Sequence, residues 1–120
     1  MIVFTQYQNQ AMRTAKPGDT NFNLTHAAFG VSGEAGEFAD CIKKYLIYGK
    51  QLDRENATEE LGDLLWFIAL ACSALGTTMD KVAQANIDKL RRRYPEKYSD
   101  QHALARLDKQ HDQQQSQFTP

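Results

Sequence analysis

Two stretches decide the fold of this 120-residue chain: GEAGEF, residues Gly33–Phe38, and EELGDLLWF, residues Glu59–Phe67. Each stretch sets two acids three residues apart inside a segment that is otherwise apolar. Apolar residues around both stretches recur at steps of three and four, which is the period of a helix with one buried face. They occupy positions 24, 28, 31, 35, 38, 42 and 45, and then 61, 64, 68, 71 and 75. This pattern predicts two long amphipathic helices that carry acids beside their buried faces.

Breakers and caps divide the rest of the chain into further helices. The predicted helices span about residues 5–14, 24–48, 54–75 and 79–94, with a short fifth helix at 100–107 and a loop at 16–23. Gly49 and Gly76 end the second and third helices, and Asp53 caps the third. We therefore predict an all-α, antiparallel bundle of four main helices, residues 1–108. A polar, glutamine-rich and disordered tail is predicted for residues 109–120.

Composition narrows the classes of function. The net charge of −1 gives no broad basic field, so neither nucleic acid nor a membrane is expected as a partner. The N-terminal residues show no signal peptide, so we expect a cytoplasmic protein. The two cysteines, Cys41 and Cys72, have no metal-ligand spacing, so we expect both thiols to lie in the core. The third helix is apolar nearly all round, so it should be covered on two sides. Helix two is expected on one side, and either helix one or a second subunit on the other.

The four acids are predicted to converge across the hairpin of helices two and three. With the turn near Gly49, antiparallel partners have residue numbers that add to about 97. Glu37 then lies level with Glu60, and Glu34 lies level with Asp63. Heptad letters assigned from the apolar positions put all four on the same flank of the hairpin. We therefore expect one cluster of four carboxylates at this edge.

Such a cluster indicates a metal site more than a solvated acidic surface. The residues four positions after each acid are not cations but Phe38, Cys41, Leu64 and Phe67. Two like charges about 5 Å apart repel by roughly 3 kcal/mol at an effective dielectric near 20, so a cation should offset them. Oxygen ligands alone suit Mg²⁺, with Mn²⁺ as the second candidate. A di-iron site is not favoured, because the chain has no Glu-x-x-His motif.

The two acid motifs resemble the ExxE…ExxD signature of the MazG-like nucleoside triphosphate pyrophosphohydrolases, particularly their short single-domain, phage-type and dCTP-pyrophosphatase-like members. The similarity extends from about residue 7 to residue 98, through FNLTHAAFGVSGEAGE and NIDKLRRRYP. Gly33 stands where many members carry a further acid. The resemblance implies an all-α bundle, a homodimer or dimer-of-dimers, and Mg²⁺-dependent hydrolysis of an NTP or dNTP to the monophosphate and pyrophosphate. It also implies that the metal ligands are Glu34, Glu37, Glu60 and Asp63.

Helix four is predicted to bind the substrate's phosphates. Asn86, Lys89 and Arg93 share one helix face, and the first two match the family's downstream motif. The alternative is a solvated basic helix end. For the base, Gly30 and Phe67 are predicted to leave an apolar slot beside the acids, although such residues are more often simply core.

Glu59 is the predicted catalytic residue, since it could orient or deprotonate water beside Glu60. The alternative is a solvent-facing acid that favours the helix dipole. Two alternatives to the nucleotide pyrophosphohydrolase stay open. One is a non-enzymatic helical oligomer that binds metal or nucleotide, and the other is a phosphoribosyl-ATP-type pyrophosphohydrolase.

Overall fold

The structure is a computed structural model that describes residues 1–110, and every regular element among these residues is a helix. The prediction of an all-α chain is confirmed. The helices are α1 (Phe4–Met12), α2 (Thr20–Leu46), α3 (Arg54–Ala74), α4 (Met79–Arg93) and α5 (Asp100–Ala105). The described residues fall into two compact units, residues 1–80 and residues 81–110. The predicted disordered tail falls almost wholly on residues 111–120, outside the described residues, so the domain limits stay a prediction.

Local signals set the helix ends. The carboxylate of Asp19 accepts a hydrogen bond from the backbone N–H of Phe22 at 2.8 Å, so α2 begins at Thr20. The prediction of a loop to residue 23 is wrong because this cap stabilises the first turn despite the preceding proline and glycine. The predicted stops are confirmed by left-handed backbone at Gly49 (φ 67°) and Gly76 (φ 71°). Asp53 caps α3 as expected, 3.0 Å from the N–H of Asn56.

Helices α2 and α3 form the predicted antiparallel hairpin, and its register is confirmed at three levels. Gly30 lies against the ring of Phe67, Glu37 adjoins Glu60, and the Cys41 sulfur accepts a 2.8 Å hydrogen bond from the side-chain amide of Asn56. The residue numbers of each pair add to 97. We call this line of contacts the seam. It lies wholly within the unit of residues 1–80.

The buried face of α2 coincides only in part with the predicted apolar stripe. Ala27 and Cys41 are buried, with 1% and 8% of their surfaces exposed, whereas Ala28, Ala35 and Tyr45 from the predicted stripe are exposed. Small side chains let two helix axes approach closely, so the hairpin packs through Ala27, Gly30 and Cys41. The larger apolar residues of the stripe are partly left at the surface, and on α3 the stripe residues Leu61 and Leu75 are 48% and 67% exposed.

The opposite face of α3 packs against α1, which confirms that α3 lies between two helices. The indole N–H of Trp66 lies 3.1 Å from the backbone oxygen of Ala11 and 2.9 Å from the hydroxyl of Thr14. The buried amide of Gln8 donates to the hydroxyl of Ser73, and its oxygen accepts from the N–H of Met79. These bonds hold α3 in place from behind the seam.

Hydropathy adds one finding about the helices. Within residues 1–110, no single helix is both long enough and apolar enough to cross a membrane, and α3 and α4 meet those criteria only when taken together across their break.

The seam predicts opposite effects for two glycine substitutions inside helices. In Gly30→Ala, the new Cβ would lie 2.1 Å from the Phe67 ring, which Trp66 and His26 pack edge-on at centroid distances of 5.0 and 5.4 Å. We expect a loss of about 1–3 kcal/mol in the free energy of unfolding, because the ring has little room to move.

Gly62→Ala is the matched control, since an added Cβ there meets no described atom within 4 Å. It should raise the free energy of unfolding by about 1 kcal/mol through helix propensity. Urea unfolding of both variants measures this difference. Equal midpoints would contradict the close approach at Gly30.

Candidate metal centre

Three of the predicted acids meet at the seam. Glu34, Glu37 and Glu60 each contribute a carboxylate oxygen, and these three oxygens all lie within 4.8 Å of one another. Two of the acids lie one turn apart on α2, and the third reaches them across the seam from α3. Glu34 and Glu60 are half-buried, whereas Glu37 is exposed. The hairpin register is therefore what assembles the cluster.

The cluster lacks the partners that half-buried carboxylates need. The Oε2 atoms of Glu34 and Glu60 are both shielded from solvent and have no hydrogen-bond partner among the described residues. The pKa of Glu60 is raised to about 7, first because its protonated form can share a hydrogen bond with Glu37, then by burial and by Glu34. Oxygen atoms that repel one another and lack donors fit a hard divalent cation such as Mg²⁺. The residues present therefore suit the expected metal.

Asp63 lies outside this group of three. It is exposed on α3. Burial of the Tyr7 phenol on α1 raises the pKa of that group, and the charge of Asp63 raises it further. Its part in the metal site stays a prediction.

A groove of about 430 Å³ opens beside the cluster. Besides Glu37 and Glu60, its lining includes Asp40, Lys44 and Asn56, which the sequence reasoning did not identify. Asp40 continues the three-residue spacing of Glu34 and Glu37, and this spacing was a signal that could have revealed it. The carboxylate of Asp40 pairs with Lys44 at 2.9 Å and with Lys43 at 3.5 Å, which lowers its pKa.

The proposed base slot is closed. The ring of Phe67 packs directly on Gly30, so these two residues fill the space between the helices where the slot was expected. A nucleotide base could enter there only if the ring turned away. The binding role of this pair stays a prediction.

Glu59 is not one of the three clustered carboxylates. It is exposed and lines a separate cleft of about 320 Å³ together with Asp53, Glu55 and Asn56. Its role as a catalytic acid or base also stays a prediction.

The predicted phosphate-binding residues lie on α4 in the second unit. Asn86 is exposed, and Lys89 is half-buried. The guanidinium of Arg93 forms a forked pair with Asp108, at 2.9 and 3.1 Å. The side chain of Asp108 is fully buried, and the bonds from Arg93 are the main reason that its pKa is lowered to about 2. A phosphate contact by Arg93 would have to compete with this pair.

Comparison with known proteins identifies the family. The family model of the MazG nucleotide pyrophosphohydrolase domain matches residues 22–98, which include both acid motifs. The chain belongs to this family. It is also similar to the Gene 37 protein of Mycobacterium phage L5, with 35% identity over 96 residues that cover 72% of this chain and 84% of that protein. No solved structure matches it significantly. Membership in the MazG family supports a nucleotide pyrophosphohydrolase activity in broad terms, and that family is generally dependent on divalent metals.

The raised pKa of Glu60 predicts that metal binding releases a proton. Because Mg²⁺ binds the ionised carboxylate, its affinity should rise about tenfold per pH unit below pH 7 and level off above it. Calorimetry in buffers of different ionisation enthalpy should find close to one proton released at pH 6 and almost none at pH 8.5. Glu60→Gln should release none, and a wild-type protein that releases no proton at pH 6 would refute the assignment.

The same shift gives the stability of the metal-free protein a defined pH dependence. The folded carboxyl of Glu60 binds its proton more tightly than the unfolded one, whose pKa is 4.5. Stability should therefore fall as the pH rises from about 4.5 to about 7, and Mg²⁺ should reverse this loss. Thermal unfolding with and without Mg²⁺ across this range measures it.

Proposed function

We propose that this chain hydrolyses nucleoside or deoxynucleoside triphosphates to the monophosphate and pyrophosphate in a Mg²⁺-dependent reaction. The observation that supports this most is the convergence of Glu34, Glu37 and Glu60, with two oxygens that lack partners, inside the segment that matches the MazG family. In this reaction water adds to a phosphorus of the anhydride while the bond to the leaving phosphate oxygen breaks.

In this proposal Glu34, Glu37, Glu60 and Asp63 hold the metal. Bound Mg²⁺ supplies positive charge that neutralises phosphate oxygens and lowers the pKa of water. The hairpin contributes preorganisation, because the contacts at Gly30 and Cys41 fix the seam on both sides of the acids. The backbone of Asp63 lies one turn along α3 from Glu60. Its proposed role requires a change of side-chain rotamer that brings its carboxylate to the other three acids.

The proposed substrate contacts are those of α4. Asn86 is exposed and Lys89 is half-buried, so the donors of both side chains can reach a phosphate at the surface. Glu59 would orient water from beside the metal ligands. Further residues proposed to contact the substrate are Arg93, Gly30 and Phe67.

We also propose that the active form is a homodimer or a dimer of dimers. The support is the exposed part of the apolar stripe within the first unit, including Leu61 and Leu75. Burial of these side chains against a second copy would remove apolar surface from water.

Removal of one clustered acid should abolish the reaction without unfolding the protein. Glu37→Gln keeps the shape of an exposed side chain while removing one of the crowded negative charges. We expect no measurable release of pyrophosphate from a panel of NTPs and dNTPs at saturating Mg²⁺, as in wild type treated with EDTA. Metal-free stability should hold or rise, because repulsion is relieved.

Two further variants complete this experiment. Asp63→Asn tests whether the fourth acid belongs to the set and should lose activity to a similar extent. Glu55→Gln makes the same chemical change as Glu37→Gln outside the cluster and should retain activity. Full activity of Glu37→Gln would rule out the proposed metal set. Wild type that binds Mg²⁺ and nucleotide but releases no pyrophosphate would favour the non-enzymatic binder.

Lys89 separates catalysis from simple binding. If its ammonium meets phosphate oxygens whose charge rises as the bond breaks, Lys89→Ala should lower kcat by roughly 100-fold with little change in KM. Lys89→Arg should recover part of the rate. Arg91→Ala, which removes a cation from another face of α4, should be nearly silent. Equal effects of Lys89→Ala and Arg91→Ala in steady-state kinetics would exclude α4 from the active site.

A further inference from the structure

The groove beside the carboxylates has a basic end that the reaction as proposed does not use. Among the described residues that line the groove, Lys44 is the one with a positive charge. It lies seven residues after Glu37 on α2, so the two positions are two helical turns, or roughly 10 Å, apart along the same helix. A ligand held at the acidic end of this groove therefore extends toward an ammonium group on a long, flexible stem.

Lys44 is paired with the carboxylate of Asp40, and this ion pair is weak enough to be exchanged for another. Its Nζ lies 2.9 Å from Oδ2 of Asp40, while Lys43 lies 3.5 Å from Oδ1 of the same carboxylate. Each oxygen of Asp40 thus has its own lysine. All three side chains are about half exposed, and ion pairs of that kind contribute little to stability. If Lys44 moves to another anion, Asp40 remains paired with Lys43.

The charge of the groove favours such a move when a phosphate chain is bound. The acidic end of the groove is lined by carboxylates, so a bound divalent cation would be the main source of positive charge there. A phosphoanhydride chain carries several negative charges, which extend beyond the oxygens that one metal centre neutralises. Asn56 adds side-chain amide hydrogens on the opposite wall, although one already bonds Cys41.

We propose that Lys44 is a substrate-positioning residue, whose ammonium transfers from Asp40 to the end of a phosphoanhydride chain that is held at the metal centre. The inference rests on the proposed function and adds a specificity determinant to it, because a monophosphate would be too short to bridge the metal centre and Lys44. The pyrophosphate group, in the triphosphate and in the released product, is the part that this residue recognises.

Two neighbouring lysines provide a matched test. Lys44→Gln and Lys43→Gln remove the same charge from the last turn of α2 and the same kind of bond to Asp40, but Lys43 does not line the groove and lies 5.7 Å from the ring of Tyr48. We would titrate each protein with pyrophosphate at saturating Mg²⁺ by calorimetry. Lys44→Gln should weaken binding roughly 10- to 100-fold, the range for one hydrogen bond to a charged group. Lys43→Gln should change it less than about threefold.

Additional measurements separate recognition from structure. Lys44→Arg should recover part of the affinity for pyrophosphate. In Lys44→Gln, the affinity for Mg²⁺ without pyrophosphate and the thermal unfolding temperature should both stay close to those of wild type. In kinetics, Lys44→Gln should raise KM for the triphosphate more than it lowers kcat. Equal pyrophosphate affinities of the two glutamine variants would overturn the inference, as would a wild type that does not bind magnesium pyrophosphate. Wild type that binds it but hydrolyses no nucleotide would refute the proposed function alone, and the comparison of the lysines would still decide the role of Lys44.

Discussion

The single register between α2 and α3 is the constraint on which the site depends. At one end of the hairpin the ring of Phe67 packs on Gly30, where α2 has no Cβ and a larger residue would collide with the ring. The bond between Asn56 and Cys41 fixes the other end of the same seam. Glu37 and Glu60 lie between these two contacts, so a shift by one turn would separate the acids from one another. Specific packing on both sides thus places groups that would otherwise move apart.

This placement has an energetic cost that the rest of the first unit must offset. Carboxylates crowded together and lacking donors favour either a bound proton or a bound cation, which is why the pKa of Glu60 lies near 7. Behind the seam, apolar packing and the hydrogen bonds of Trp66 and Gln8 attach α3 to α1. The unfavourable charges are therefore carried by a helix that is held from its opposite face. A similar separation of a stable support from a strained site is common in enzymes.

Periodicity and turn residues were sufficient to predict that the helices exist and how the hairpin is registered, but not where α2 begins. Gly49 and Gly76 supply the backbone that a helix stop requires, and the register followed from the position of the turn. The rotation of α2 could not be predicted in the same way, because apolar periodicity gives more weight to Tyr45 and Leu24 than to the small Ala27 and Gly30. Where two helices approach closely, the small residues are the ones that become buried between them.

The site was predicted in part for a related reason. Spacing on a helix predicts which acids share a face, and Glu34, Glu37 and Glu60 do meet. It does not predict side-chain rotamers, so the position of Asp63 relative to these three could not be obtained from sequence. Asp40 and Lys44 were missed because an acid with lysines three and four residues later has the pattern of an ordinary solvated helix surface.

The contact between Gly30 and Phe67 also restricts the order in which this hairpin can diverge. Any side chain at position 30 is obstructed while the ring of Phe67 remains, whereas a smaller residue at position 67 leaves a void that an alanine at position 30 can partly fill. The route from glycine to a larger residue therefore passes through a change at position 67 first. The two positions, one on each helix, are expected to vary as a pair among descendants of this chain.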